Sequence, residues 1–228
     1  MEAKLSGGTG QPIPRVSHSE VEEEIEAIRL KKKLPITIDY RYDNPIGFDR
    51  KTKNIRINPK RVAMNLKETL KVYPNYNWKK HIYGKITHEM THKNLEEQLQ
   101  ARGISEKRMR SMSYDMLEEL RVLRIAPFIL EENEMVKKAV FSVSMEERFK
   151  RIAKALEKTG SQIVTFAVVL TKEEIEKEIP EEYKDVILKL KELYPLMETV
   201  DDIIRYSPEL EKTIEGEIWK KDIGLTWC

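Results

Sequence analysis

Cysteine is almost missing from this chain: there is one in 228 residues, Cys228, the last. A lone thiol excludes an internal disulfide and a cysteine-rich structural zinc site, and it suits a reducing, cytoplasmic setting. Long apolar runs are missing as well. Nowhere do roughly 18 apolar residues follow one another as a membrane span requires, and the opening MEAKLSGGTGQPIP has no apolar core of signal-peptide length, so no membrane association is expected. An excess of one charge is also lacking, because 41 lysines and arginines nearly cancel 39 aspartates and glutamates and leave +2. That whole-chain balance predicts no nucleic-acid partner. Histidine is scarce, with four in the chain, so two of them at helical spacing carry information.

What the chain does have is abundant helix-forming sequence after a short strand-bearing start. Residues 1–17, with Gly7, Gly8, Gly10, Pro12 and Pro14, read as a disordered tail. Glu20 to Lys33 reads as an amphipathic helix capped by Ser19, with Val21, Ile25 and Ile28 on its apolar stripe and Leu30 as a candidate fourth member. Leu34 to Tyr42 alternates Ile36, Ile38, Tyr40 and Tyr42 with polar residues, the period of a half-buried strand. Asn44, Pro45 and Gly47 break it, residues 48–54 read as a turn, and Asn54 to Asn58 reads as a second short strand stopped by Pro59. Helices are predicted over 62–72 and 79–101, the latter ending at Gly103. Helical periodicity then recurs over 105–125, 128–140, 145–158, 181–194 and 208–220, while Ile163 to Leu170 fits a buried strand or a core helix.

Inside the 79–101 helix stands His88-Glu89-Met90-Thr91-His92, the pattern HExxH. Residues four apart lie one above the other on a helix, so both imidazoles can reach one ion while Glu89, one step round, holds a water beside it. A catalytic zinc needs three protein ligands and an open position, and carboxylates on a following helix are the natural third donor. Tyr114 to Arg121 places Glu118 and Glu119 in an otherwise apolar helix, where a buried carboxylate is costly without compensation. Glu118 shares a stripe with Val122, Ile125 and Ile129, which favours it as the ligand over Glu119, which reads as an alternative ligand, an outer-shell group or a surface charge. Arg121, one turn on, is either a hydrogen-bond donor to a ligand carboxylate or a solvated charge. Tyr83, Tyr114, Tyr183, Tyr194 and Tyr206 are equal candidates to stabilise an oxyanion, and His81 lies two turns before His88.

Thr87 to His92 with the later glutamate resembles the zincin metallopeptidases, and among them the gluzincins, over roughly residues 34–130. The stretch is similar to the small archaeal gluzincins. LEELR also resembles a Leu-Glu-Asp-x-Arg element of some phage-type and von Willebrand-associated peptidases, with Glu119 standing where that element has Asp. The resemblance implies a zinc-dependent protease: Zn2+ held by His88, His92 and Glu118, Glu89 as general base, and a peptide or protein as substrate. It also implies an α+β fold in which a small, mostly antiparallel sheet packs on the HExxH helix and the glutamate helix, followed by a helix-rich C-terminal part.

Punctuation at Thr159-Gly160-Ser161 suggests a peptidase domain over 18–159 and a helical extension over 160–228. The strand Asn54 to Asn58 is a candidate edge for an extended substrate. Two other readings compete. If HExxH is accidental, the chain is an α-rich regulatory or partner-binding protein; if the zinc serves one target, Ile125-Ala126-Pro127 resembles the pattern of repressor-cleaving peptidases of narrow specificity.

Overall fold

In a computed structural model of the chain, residues 16–125 and 160–216 are described. The expected tail through residue 15, the helices expected over 128–140 and 145–158, and Cys228 lie outside them. The chain divides into two compact units, residues 1–86 and 87–228.

The first unit opens with α1, His18–Lys32. Its cap is Ser17 rather than Ser19, because Glu20 completes a reciprocal pair with Ser17: the Glu20 N–H donates to the Ser17 hydroxyl at 3.2 Å and the Ser17 N–H donates to the Glu20 carboxylate at 2.8 Å. Val21, Ile25 and Ile28 are buried as the stripe requires, whereas Leu30 is 69% exposed and lies off it. Three strands follow: β1, Ile36–Ile38; β2, Ile46–Asp49; and β3, Asn54–Ile57. β1 is shorter than its alternation implies. β2 lies where the glycine and proline suggest only a break, because Asp49 Oδ1 accepts from the N–H groups of Lys51 and Thr52 and makes residues 49–54 a tight hairpin turn.

The strand order is β1-β3-β2, with β1 parallel to β3 and β2 antiparallel to it. The sheet is therefore mixed rather than mostly antiparallel. Its register aligns Ile36, Ile55 and Phe48 in one row and Ile38, Ile57 and Ile46 in the next, so one face is apolar throughout. β3 is central, and its backbone groups are committed to two neighbours. The expectation that Asn54 to Asn58 forms a free edge is overturned by this pairing.

Asn58 then caps α2, Pro59–Val72. Its Oδ1 accepts from the N–H groups of Lys60 and Arg61, while its Nδ2 donates to the carbonyls of Tyr40 and Tyr42. The loop after β1 is thereby tied to the start of α2, which packs on α1.

Helix α3, Trp78–Ala101, runs through the division at residue 86. In the second unit follow α4, Glu106–Met109; α5, Met112–Ile125; α6, Gly160–Val169; α7, Lys172–Glu178; α8, Glu181–Leu193; a 3-10 turn, Tyr194–Leu196; and α9, Val200–Gly216. The ambiguous run Ile163 to Leu170 is helical. Gly160, where the sequence suggests a boundary, opens α6, and Ile163, Val164 and Ala167 of that helix share one hydrophobic core with Leu99 of α3, Leu120 of α5, Ile187 of α8 and Ile203 of α9. Each such side chain contributes about 1.5–3 kcal/mol by leaving water. The class is α+β, with helix dominant and a single small mixed sheet among the described residues. No helix of the described residues is long and apolar enough to cross a membrane.

Candidate metal centre

The second unit holds the cluster, and two helices build it. Asn77 Oδ1 accepts the Lys80 N–H at 3.0 Å at the start of α3. At its other end Gly103, at φ +78°, turns the chain so that the Ile104 N–H reaches the Leu99 carbonyl at 3.1 Å. Between these stops no proline interrupts the ladder, so His88 and His92 keep the spacing that places them one above the other on the buried side with Leu95 and Leu99. Their rings meet edge to face, 76° apart with centroids at 4.7 Å, and this brings the two Nε2 atoms to 3.1 Å.

Helix α5 supplies the carboxylates. Glu119 Oε2 lies 3.1 Å from His92 Nε2 and 3.6 Å from His88 Nε2. A tetrahedral ion with bonds of about 2.0–2.1 Å separates its donors by about 3.3 Å. The three observed separations bracket that value, so His88, His92 and Glu119 fit a zinc ion with a vertex to spare. Glu118 Oε1 lies instead 2.7 Å from His92 Nδ1, on the far side of the ring. In that position a carboxylate accepts the Nδ1 proton and fixes the imidazole tautomer that leaves Nε2 free to ligate.

This exchanges the two glutamates relative to the sequence expectation, and the reason is physical. The stripe argument assumes a helix with one apolar face, whereas α5 is buried on every side over Met116–Leu120, and Ile125 of the expected stripe is 43% exposed. Adjacent residues differ by about 100° in direction, and with no solvent face to exclude either, only the partner helix decides.

Electrostatics of the cluster also favour a cation. Glu118 is 1% exposed, and His88 and Glu119 are 8% exposed each, so two carboxylates sit in the protein interior beside two imidazoles. Uncompensated, each such charge costs several kcal/mol. Burial by itself pulls the His92 imidazole toward neutrality, but its hydrogen bonds to Glu118 and then Glu119 outweigh that and hold its pKa well above the ordinary histidine value. One imidazolium balances one of two carboxylates. A dication balances both.

The remaining expected site residues are dispersed. Glu89 is half-buried on α3 next to His88. Arg121 donates from Nη1 to the Met197 carbonyl at 2.9 Å rather than to a ligand carboxylate, and so holds α5 to the segment before α9. Tyr114 is fully buried, Tyr183, Tyr194 and Tyr206 pack against the helical core, and Tyr83 is exposed in the first unit. His81 Nδ1 pairs with the Tyr76 hydroxyl at 2.8 Å. Glu96, one further turn along the His88–His92 row and 2% exposed, is a buried carboxylate that the sequence reading passes over although its spacing marks it; Gln100 Nε2 donates to it at 3.2 Å.

No family model, no curated protein and no solved structure matches this chain. The function therefore rests on the cluster itself.

Proposed function

We propose that the chain is a zinc-dependent metallopeptidase, a member of the gluzincin type that HExxH and the downstream glutamate resemble, acting on a peptide or protein. The observation that carries this reading is the convergence of His88 Nε2, His92 Nε2 and Glu119 Oε2 at 3.1–3.6 Å from two separate helices. When bound, zinc supplies Lewis acidity that polarises a substrate carbonyl and makes water acidic enough to attack at neutral pH. The chain's own groups do the rest. Glu118 accepts from His92 Nδ1 and orients that ring. Glu89, the carboxylate of the motif that the cluster leaves uncommitted to the three-donor set, takes a proton from the attacking water and returns it to the leaving amine.

Purified protein analysed for metal and assayed on casein and on a peptide library tests this reading. We expect one zinc per chain, lost in His88→Ala, His92→Ala and Glu119→Gln, and retained in Glu89→Gln with peptide cleavage abolished. Absence of stoichiometric zinc after reconstitution overturns it and leaves the second reading, an α-rich partner-binding protein in which His92, bonded to Glu118 and Glu119, is a buried structural ion pair.

A further inference from the structure

The near-neutral whole-chain charge conceals a partition. Through residue 86 there are 18 lysines and arginines against 10 aspartates and glutamates, while from residue 87 there are 23 against 29. From Arg29 to Ile86 the imbalance is steeper still, 16 against 4. A solvated surface alternates its signs; this one does not. All four of those carboxylates are moreover already in ion pairs, Asp39 and Asp49 with Arg56, Asp43 with Arg61 and Glu68 with Lys71. Lys31, Lys32, Lys33, Lys51, Lys60 and Lys67 are exposed and form no ion pair among the described residues. Cations left this way raise the local potential and attract polyanions.

Aromatic rings are interleaved with this charge. Lys60 Nζ stands 5.3 Å over Tyr40, Arg56 4.6 Å over Tyr42, Lys53 5.9 Å over Phe48 and Lys79 5.5 Å over Trp78. Tyr40 is 43% exposed, and its hydroxyl is held by Glu22, so a fixed ring is presented beside a free ammonium. On α2, Lys60 and Lys67 line with His18 and Met64 one shallow groove of about 340 Å3. Apart from Met64 the outward residues of α2 are polar among its described side chains, which show no apolar strip to sink into lipid.

We infer that the N-terminal unit is a nucleic-acid-binding surface that takes single strands, its lysines tracking the phosphates and Tyr40 stacking on a base. The inferred surface uses no residue of the metal cluster and does not depend on it. The chemistry is that of sequence-tolerant single-strand binders, in which a basic track supplies affinity and rings supply the preference for unpaired bases.

Fluorescence anisotropy of the full chain with labelled oligo-dT, repeated with chelator, tests the inference. Binding should survive chelation and weaken with salt, with a log–log slope of about −0.7 per phosphate engaged. Lys60→Glu with Lys67→Glu should weaken binding about ten-fold or more and flatten the slope, whereas Tyr40→Ala should weaken it several-fold without changing the slope. Lys31→Gln with Lys32→Gln provides a second charge variant away from α2, and circular dichroism verifies helix content in each. No salt-dependent binding, equal binding by the charge variants, a preference for duplex over single strand, or displacement of the oligonucleotide by phosphatidylserine vesicles overturns the inference.

Discussion

Glu118 and Glu119 are chemically identical neighbours whose environments assign them opposite tasks. On the proposed zinc reading, removing the charge at Glu119 deletes a donor, whereas removing it at Glu118 leaves all three donors and loosens the grip on His92. We expect Glu119→Gln to abolish stoichiometric zinc and Glu118→Gln to retain it with affinity lowered about 10–100-fold, read by competition with a chromophoric chelator. The reverse order would restore Glu118 as ligand.

A pH dependence follows at the same scale. In zinc-free protein the folded-state pKa of His92 is raised, so its pairing with the two glutamates stabilises fully below the unfolded histidine value of about 6.5 and is lost as pH climbs through the raised value. Thermal melts in chelator should therefore fall in midpoint as pH increases above neutrality, and His92→Gln should flatten that fall. Zinc competes with this proton, so its affinity should strengthen over the same range.

At the scale of elements, one side chain and one glycine hold the pieces that matter. Asn58 satisfies two N–H groups of α2 and two carbonyls of the preceding loop. Its replacement by alanine removes a cap and leaves two part-buried carbonyls without their donor, and should cost about 1–2 kcal/mol in urea unfolding. Asn58→Asp, which keeps the cap oxygen and loses the donors, should recover part of that. Gly103, the left-handed terminator of the HExxH helix, has open space where a Cβ would sit, so Gly103→Ala should cost about 1 kcal/mol through backbone strain alone. Part of this was legible. Gly103 marks its helix end in both readings, whereas α7, opened by the Thr171-x-x-Glu174 capping box, is a helix that the periodicity reading leaves out. The start of α9 was not legible either: Pro208 reads as a first-turn residue, yet the helix begins at Val200, where Asp202 accepts from the Thr199 N–H at 2.7 Å. Packing of Ile203 and Leu210 in the core outweighs the one backbone hydrogen bond that proline forgoes.

At the scale of the whole molecule, the division near residue 86 matters more than the punctuation at Gly160, because it separates a basic unit from an acidic one. A ligand that binds only the native second unit should raise the melting temperature with its concentration, adding about 2.7 kcal/mol of stability at a hundred times its Kd. Zinc should do so for the parent chain and for the Lys60→Glu, Lys67→Glu variant, and should fail for Glu119→Gln. Differential scanning calorimetry reads both arms.

What the sequence alone determined is local and periodic: a helix that carries two imidazoles one turn apart, adjacent glutamates in an otherwise apolar helix 26 and 27 residues beyond His92, and alternating isoleucines in short strands. Spacing along one chain dictates these, since a helix and a strand each repeat without reference to the rest of the fold. Only the tertiary structure decided that β3 lies between β1 and β2 and that Glu119, not Glu118, meets both Nε2 atoms. Strand order and the direction of a side chain on a helix buried all round are set by partners distant in sequence, and no periodicity encodes which partner arrives.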